Sequence, residues 1–476
     1  MKQNIRTLIV SALVMLTQTA SYAQGYRIDV KINGVKDTTL LLGYYFNKQM
    51  FVKDTADVDS NGHGAFEGKE PLDEGIYVIY LPDKSYFDIL INDDQDFSVS
   101  ATDGDLVKSQ KITGNKEAGN FLKYQQYLNL KQKEAGKIQK GLKDLKKGEP
   151  EYEKSIEKLK AIKEEVDKEM NRVIDENTGT LLARFLLMTK DIEIPDFDVP
   201  ENVANKDSVI QIKKYQYYKK HYFDNVDFND ERLLRTPVFT NKLERYFNNV
   251  VIQVPDSLIK EADLVIAKTE DPKMRRYLIQ YLFNMANESK IMGMDKMVVA
   301  MAENYYLSGQ ADWADSTFLT KLQERVTKIK PNLIGNQAPD LLMQSVDGQF
   351  YRLSEVRAPI TILIFWEPNC GHCKKEVPKL KEEVWDKYRD KGVKIFAVYT
   401  QTEKGPWEKF IEEHDLFEWI NVYDPYYRSN FRNLYDIYST PTIYVLDRNK
   451  KIIGKRIGVE QLPGFIDYEL KQQEKK

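Results

Sequence analysis

The chain has 476 residues, a formal net charge of −3 and only two cysteines. Such a near balance of charge gives no electrostatic case for binding nucleic acid or anionic lipid. The length exceeds what one hydrophobic core normally supports, so about two to four domains are expected, and two cysteines in so long a chain indicate chemistry rather than a disulfide-stapled scaffold.

The N-terminus has the pattern of a cleavable export signal. Lys2 and Arg6 form a short basic region, and residues 8–16 form an apolar run that is too short to span a bilayer. Ser21 and Ala23 are small residues at the two positions that a signal peptidase reads. We therefore predict a signal peptide over residues 1–23, with a retained membrane anchor as the alternative.

Removal of this segment takes away Lys2 and Arg6 and no acidic residue, so the formal net charge falls from −3 to −5. There is no cysteine near the cleavage site, which excludes a lipoprotein anchor. No later stretch of the sequence is long and apolar enough to form a transmembrane helix. The mature protein is expected in the periplasm.

Residues 24–114 are predicted to form a β domain. Segments rich in β-branched and aromatic residues lie at 38–46, 75–81 and 86–91, and clusters of turn-forming residues separate them. Short strands at this spacing indicate an antiparallel β-sandwich or a small barrel, and we take the antiparallel β-sandwich as the expected fold.

Residues 115–331 are predicted to form an α-helical domain. The segments 119–147 and 151–176 are dense in Lys and Glu, with apolar residues three and four positions apart, and a Gly-Glu-Pro turn separates them. This pattern is typical of a helical hairpin with ion pairs on its exposed faces. Aromatic and Met residues that follow are interpreted as core rather than as a cofactor or peptide groove.

Residues 332–476 are predicted to form an α/β sandwich. The apolar runs at 361–366 and 393–400 have the composition of strands buried on both faces. The remaining expected elements are two strands around an Asp-Gly turn at 340–353, helices at 371–390, 404–415 and 426–436, a hairpin at 442–458, and a last helix at 460–473.

Both cysteines lie in the sequence 370-CGHC-373, directly after the first buried strand and at the expected start of a helix. The positive end of a helix favours a thiolate, and the first thiol of such a site titrates roughly between 3.5 and 7.5 rather than near 8.5. Cys370 is therefore the predicted nucleophile, and Cys373 the resolving thiol that attacks the mixed disulfide. His372 is expected to stabilise the thiolate and to make the disulfide more oxidising.

The residues that flank the two cysteines, together with a second motif further along the chain, resemble those of a known superfamily. Phe365 and Trp366 precede Cys370 as an aromatic pair, Pro378 follows Cys373 by five residues, and Ser-Thr-Pro-Thr occupies 439–442 before the strand TIYVLD. In this order the motifs resemble the thioredoxin superfamily, and within it the exported TlpA/ResA-like branch. The match covers about 140 residues, from 335 to 476.

The resemblance implies roles for individual residues. Pro441 should follow a cis peptide bond and face Cys370, and the backbone of Thr440 should pair with a substrate peptide. Trp366 and His372 should contribute to substrate binding. Pro378 should kink the helix that carries the cysteines.

Two departures from the family pattern affect these roles. The position of the buried acid of thioredoxin is Ile364 in this chain. Glu376 instead matches a buried acid of ResA-like proteins that could exchange a proton with Cys373, although an exposed helix glutamate is the alternative. The dipeptide Gly371-His372 resembles that of protein disulfide isomerase, so the direction of electron flow stays open.

A zinc site is disfavoured because it needs four ligands and only His372 and Glu367 lie near the cysteines. We expect no metal and no cofactor. The first two domains resemble uncharacterised modules that precede TlpA-like domains in proteins of Bacteroides-type bacteria, and this resemblance implies no activity.

The sequence therefore predicts an enzyme, an exported thiol–disulfide oxidoreductase with a redox-active dithiol/disulfide centre. Its expected partners are cysteine-containing protein substrates and an upstream, membrane-bound redox partner, and nucleic acid is not expected. The alternative is a periplasmic binding or assembly protein whose redox domain is regulatory.

Overall fold

The structure is a computed structural model that describes residues 25–474. The predicted signal peptide lies outside the described residues. The chain divides into two compact units, and the boundary between them falls between Tyr246 and Phe247.

The first unit begins with β-strands. These are β1 (Tyr26–Asn33), β2 (Thr38–Phe46), β3 (Gln49–Val58), β4 (His63–Gly68), β5 (Gly75–Tyr80), β6 (Tyr86–Ile91), β7 (Asp96–Thr102) and β8 (Lys111–Thr113). They form two four-stranded sheets, one in the order β4-β1-β7-β8 and the other in the order β3-β2-β5-β6. Strand β1 alternates buried and more exposed side chains, which is the pattern of a sheet that covers a core with one face.

One sheet is mixed rather than purely antiparallel. Strands β1 and β7 run parallel, with Ile28 opposite Phe97 and Val30 opposite Val99. The prediction of an antiparallel fold is wrong for this pair. Five other strands lie between β1 and β7 in the chain, and only a short hairpin connection forces neighbouring strands to be antiparallel. The other strand pairs of these two sheets are antiparallel.

The helices of the first unit follow the strands. They are α1 (Leu106–Ser109), α2 (Lys116–Leu142), α3 (Pro150–Glu176), α4 (Leu181–Thr189), α5 (Lys206–His221) and α6 (Phe239–Arg245). Helices α2 and α3 form the predicted hairpin. Gly148, with a φ of 95°, allows the turn, and Pro150 begins α3 where its missing N–H needs no partner. Lys131 on α2 pairs with Glu165 on α3 across the hairpin.

The second unit contains helices and a large sheet. Its elements are α7 (Pro255–Ile266), α8 (Pro272–Glu288), α9 (Asp295–Met301), α10 (Ser316–Ile329), β9 (Leu342–Ser345), β10 (Phe350–Arg352), β11 (Ile360–Trp366), α11 (Cys373–Leu380), α12 (Asp386–Tyr388), β12 (Lys394–Tyr399), α13 (Lys404–Glu413), β13 (Ile420–Tyr423), α14 (Phe431–Leu434), β14 (Thr442–Asp447), β15 (Ile452–Lys455) and α15 (Leu462–Glu474). The predicted order of β elements, helices and a mixed α/β region is thereby confirmed.

The large sheet has seven strands in the order β10-β9-β13-β12-β11-β14-β15. Strand β11 lies inside it, parallel to β12 and antiparallel to β14. Its side chains alternate between two buried clusters, with Ile362 and Ile364 in one and Leu363 and Phe365 in the other. The predicted burial on both faces is confirmed, because helices or loops cover each side of the sheet.

Two elements of this region differ from the predictions. Strand β13 was not predicted, because four residues are too short for a clear pattern in the sequence. The helix predicted at 426–436 is confined to Phe431–Leu434, because Tyr427, Asn430 and Asp436 have left-handed backbone conformations that interrupt a longer helix.

Over residues 25–474, the structure has no helix with the length and apolar character needed to cross a membrane.

Replacement of Leu363 by Ala should destabilise the second unit by about 3 kcal/mol, because it leaves a cavity beside a fully buried strand. The matched control is Leu342→Ala in the same sheet, at a leucine that is 48% exposed, and it should change the free energy of unfolding by less than about 1 kcal/mol. Urea unfolding followed by circular dichroism measures both. Equal losses of stability would contradict the position of β11 in the core.

Candidate active site around Cys370 and Cys373

Cys370 lies in the turn that connects β11 to α11. The strand ends at Trp366, and the helix begins at Cys373, two residues after the start predicted from the sequence. Cys370 nevertheless takes part in the first helical turn, since its carbonyl accepts a hydrogen bond of 3.0 Å from the N–H of Lys374. Its side chain is therefore at the amino end of α11, where backbone N–H groups have no partner within the helix.

The two thiols differ in accessibility. Both cysteines are free, but Cys370 is partly exposed whereas Cys373 is fully buried. Cys373 belongs to the core cluster that covers one face of the sheet, and Cys370 packs at its margin. A disulfide of another protein can therefore approach Cys370 but not Cys373.

The surroundings of Cys370 favour its thiolate. Partial burial opposes ionisation, but it is outweighed by hydrogen bonds that include those from the backbone N–H of Cys373, from the Cys373 side chain, and from the backbone N–H of His372. Together these contacts lower the pKa of Cys370 below its ordinary value.

The surroundings of Cys373 have the opposite effect. Burial raises the pKa of the Cys373 thiol to about 12, against a hydrogen bond from the backbone N–H of Glu367. The hydrogen bond between the two cysteine side chains also raises the pKa of Cys373, because its S–H is the donor to the Cys370 sulfur. One thiol is thus prepared to ionise while the other holds its proton.

The loop before β14 lies against Cys370. Strand β14 pairs with β11 so that Thr442 is opposite Phe365, which brings the start of one strand beside the end of the other. The Thr440–Pro441 peptide bond is cis. The Cys370 thiol donates a hydrogen bond of 3.2 Å to the carbonyl oxygen of Thr440. The residues 439–442 and the CGHC turn therefore form one site, although about 70 residues of chain separate them.

Glu367, which the sequence suggests only as a weak candidate for a zinc ligand, contacts the cis-proline loop in the structure. Its Oε1 accepts a hydrogen bond of 3.4 Å from the hydroxyl of Thr440, and its Oε2 accepts one of 2.6 Å from Gln401. Gln401 is close because β12 runs parallel to β11 and both strands end at this edge of the sheet. The carboxylate thus ties the cis-proline loop to the sheet. In the sequence, the one sign of this role is that an acidic residue directly follows a buried strand.

Three other predicted residues lie nearby without a direct contact to either sulfur through their side chains. Glu376 is partly exposed in the first turn of α11, and no side-chain hydrogen bond of this residue is seen within residues 25–474. The imidazole of His372 is exposed, and this residue contacts Cys370 through its backbone N–H. Pro378 lies inside α11, which is followed by a π-helical turn over 381–385.

Trp366 does not contribute a surface for substrate. Its side chain is fully buried, packs 5.0 Å from the ring of Phe410, and belongs to the same core cluster as Cys373. This burial contradicts the predicted contact between the Trp366 side chain and substrate. The reason is the alternation of β11, which directs Trp366 to the same face as Ile362 and Ile364.

Within the part of the chain that the structure describes, no group of three or more His, Cys, Asp or Glu side chains is arranged to hold a metal ion.

Three family models match successive parts of the chain. Two domains of unknown function, DUF4369 and DUF5106, match residues 26–121 and 153–332. The AhpC/TSA family matches residues 334–455, which contain both cysteines and the cis-proline loop.

Curated relatives match the same C-terminal region. The chain is 27% identical over 136 residues to a thiol–disulfide oxidoreductase ResA of Bacillus cereus, which covers 28% of this chain and 76% of that protein. It is 32% identical over 119 residues to ResA of Geobacillus thermodenitrificans, which covers 25% of this chain and 66% of that protein.

Solved structures also resemble this region. A domain of a possible thiol-disulfide isomerase from Cytophaga hutchinsonii is 42% identical, with 30% of this chain and 97% of that chain covered at a TM-score of 0.29. A thioredoxin-like protein from Bacteroides caccae is 20% identical, with 59% of this chain and 99% of that chain covered at a TM-score of 0.44.

The seven-stranded sheet and the CxxC turn after β11 are those of a thioredoxin-like thiol–disulfide oxidoreductase. Residues 334–455 match the AhpC/TSA family model, the C-terminal region is ResA/TlpA-like, and DUF4369 and DUF5106 modules precede it. The resemblance seen in the sequence is thereby confirmed, and the chain is an enzyme of the thiol–disulfide oxidoreductase class.

Alkylation by iodoacetamide should distinguish the two thiols by pH. Because the pKa of Cys370 is lowered, its thiolate persists to lower pH, and its rate–pH profile should lie at lower pH than that of the unfolded chain. Cys373, with a pKa of about 12 and no exposed surface, should stay unmodified while the protein is folded. Mass spectrometry of the alkylated peptides measures both rates. Identical profiles for the folded chain and the chain in guanidinium would contradict this assignment.

His372→Pro should make the Cys370–Cys373 couple more reducing. Proline lacks the N–H that stabilises the Cys370 thiolate, while the φ of −73° at residue 372 suits a proline. Loss of one hydrogen bond to a charged group is worth about 1.5 kcal/mol, which lowers the reduction potential by about 30 mV.

The matched control is His372→Ala, which removes the imidazole and keeps the N–H. Equilibration with glutathione gives both potentials. If the alanine variant shifts as far as the proline variant, the imidazole and not the backbone N–H sets the potential.

Proposed function

We propose that this chain is an exported thiol–disulfide oxidoreductase that exchanges electrons with cysteines of other proteins through Cys370 and Cys373. The observation that carries the proposal is the difference between the two thiols. Cys370 is accessible and has a lowered pKa, whereas Cys373 is buried and has a raised pKa. A nucleophile and a resolving thiol need these opposite properties.

In the reducing direction, the Cys370 thiolate attacks one sulfur of a substrate disulfide. A bond forms between Cys370 and that sulfur, and the other substrate sulfur leaves as a thiolate that takes up a proton. Cys373 then loses its proton and attacks the Cys370 sulfur, which forms the Cys370–Cys373 disulfide and releases the second substrate thiol. Two electrons pass from the enzyme dithiol to the substrate, and the reverse sequence oxidises a substrate dithiol.

The second step requires a base, because the Cys373 thiol holds its proton firmly. We propose Glu376 for this role, since it lies one helical turn after Cys373 and is partly buried. The first departing substrate thiolate is another acceptor for the proton. Thr440 is proposed to pair with the substrate backbone and Pro441 to shape the loop that faces Cys370. His372, which is exposed beside the nucleophile, is proposed to contact substrate.

Export is part of the proposal and is supported by the N-terminal sequence. The basic start, the short apolar run and the Ser-Tyr-Ala motif at 21–23 support a mature start at Gln24. In the periplasm the dithiol would be re-reduced or re-oxidised by an upstream redox partner, which we propose to be membrane-bound. The substrates are cysteine-containing proteins.

The proposed domain boundaries are 24–114, 115–331 and 332–476. They are supported by the family models, which match 26–121, 153–332 and 334–455. We also propose that the two N-terminal sheets pack as a sandwich, since one buried cluster contains Ile28 and Phe97 from one sheet and Leu42 and Ile79 from the other. The C-terminal domain is proposed to be a thioredoxin-like α/β sandwich.

Cys370→Ser should abolish insulin reduction, because no accessible thiolate then remains. Cys373→Ser should still attack substrate but should accumulate the mixed disulfide, since the resolving thiol is missing. Insulin turbidity measures the first effect, and non-reducing electrophoresis measures the second.

The double variant is the control for both, and it should form no adduct. Expressed with its own N-terminus, the Cys373→Ser protein should carry its adducts in the exported fraction and should begin at Gln24. Normal cellular function of Cys370→Ser would instead favour a binding or assembly protein whose redox pair is regulatory.

A further inference from the structure

An exposed aromatic residue stands beside the cis-proline loop. Tyr438 is 69% exposed and precedes Thr440 by two residues, so their Cα atoms are at most about 7.6 Å apart. The carbonyl of Thr440 accepts the hydrogen bond from Cys370. A polypeptide that reacts at Cys370 therefore passes within reach of the Tyr438 ring.

Two arginines hold this ring in place. The guanidinium of Arg456 lies 4.6 Å from the ring centroid and donates a hydrogen bond of 2.7 Å to the Tyr438 hydroxyl. Arg325 lies 5.6 Å from the same centroid. Both arginines pair with the buried carboxylate of Asp436, so two positive charges share one negative charge. The group that holds the ring therefore carries a net positive charge.

A pocket of about 610 Å³ in the second unit is lined by the same two arginines. Its wall also carries the charged residues Lys290, Asp295 and Lys455. Lys455 and Asp295 pair with each other, so their charges cancel. The positive charges of Lys290, Arg325 and Arg456 are then balanced only by the negative charge of Asp436. The pocket is therefore positively charged, in a chain whose overall charge is negative.

The positive wall of the pocket favours an acidic occupant. Asp295 in this wall is already paired with Lys455, and its other carboxylate oxygen, Oδ1, is buried. A carboxylate side chain of a polypeptide would therefore suit the two guanidinium groups that line the pocket.

We propose that this pocket, bounded by Arg325, Arg456 and Lys290, docks an acidic residue of the substrate polypeptide next to its reactive cysteine. The proposal rests on the proposed function, because the same polypeptide has to react at Cys370. Tyr438 lies between the two places. An extended chain advances about 3.3 Å per residue, so the acidic residue should lie within a few positions of the cysteine.

Peptide disulfides test this specificity directly. Each probe is a short neutral peptide whose single cysteine forms a mixed disulfide with thionitrobenzoate, and a Glu or a Gln stands four positions before or after the cysteine. The reduced full-length protein attacks the probe, and the released thionitrobenzoate gives the rate. One of the Glu probes should react about tenfold faster than its Gln counterpart, and added salt should reduce this ratio.

Two variants locate the effect. Arg456→Gln removes one guanidinium and leaves Arg325 to pair with Asp436. Lys290→Gln removes a positive charge that pairs with neither Asp436 nor Asp295. Each should lower the Glu-to-Gln ratio, and the arginine variant should bring it close to one. The matched control is Arg448→Gln. Arg448 is an exposed arginine that directly follows β14, whereas the cis-proline loop precedes this strand. It should keep the wild-type ratio.

The outcomes separate the inference from the function on which it depends. If the wild-type protein reacts with neither peptide, the proposed function fails. If it reacts with Glu and Gln probes equally, the function stands and the acidic docking site is overturned. If the Glu-to-Gln rate ratio is unchanged in both Arg456→Gln and Lys290→Gln, the acidic residue does not dock in this pocket and the proposal is overturned. Competition by free N-acetylglutamate as strong as that by the peptide would show a small-molecule site, which also overturns the proposal.

Discussion

The site depends on the pairing of β11 with β14. This antiparallel register sets Thr442 opposite Phe365, and it therefore brings the loop before β14 against the turn after β11. Side chains alternate along a strand, so a shift of one residue would exchange the buried clusters on the two faces of the sheet and would move Thr440 away from Cys370. The burial of β11 on both faces holds this register, because every side chain from Ile360 to Trp366 is buried and all but Thr361 are apolar. The difference between the two thiols follows from the same constraint, since one is at the margin of that core and the other within it.

The cysteines and the loop at 439–442 could be predicted from the sequence because their signals are local. A buried strand followed by CxxC, and Thr-Pro followed by another strand, can be recognised without knowing which strands are neighbours. The contact between Glu367 and Gln401 could not be predicted from local sequence, since it depends on β12 ending beside β11. The Tyr438–Arg456 contact was equally inaccessible, because Arg456 follows the hairpin strand β15 and has a left-handed backbone conformation. Trp366 was misassigned for the opposite reason, since its position in a motif gives no information about which face of the sheet it joins.

The second unit also shows how helices and the sheet become one structure. Lys455, on the edge strand β15, is buried and donates to the backbone and side-chain oxygens of Asn332 at 2.9 and 2.7 Å, and it pairs with Asp295 at the start of α9. A buried lysine is stable only while these oxygens surround it. Helices that precede the thioredoxin-like region in the chain thus supply polar partners for its edge strand. The positive pocket lies next to this ion pair, so its shape depends on residues from both parts of the sequence.

The hydrogen bond from the Cys370 thiol to the Thr440 carbonyl has a consequence for timing. Only the protonated thiol can donate, so the bond is lost when Cys370 ionises. The Thr440 carbonyl then becomes an open acceptor at the moment when the sulfur becomes nucleophilic. Under the proposed function, an arriving polypeptide meets both changes together, since its backbone N–H can replace the thiol as donor while its sulfur is attacked. The polypeptide leaves when Cys373 attacks the Cys370 sulfur, and the Thr440 carbonyl recovers its thiol donor only after the disulfide is reduced and Cys370 is protonated again. The protonation state of Cys370 therefore decides when this carbonyl is open to a hydrogen bond from a substrate backbone.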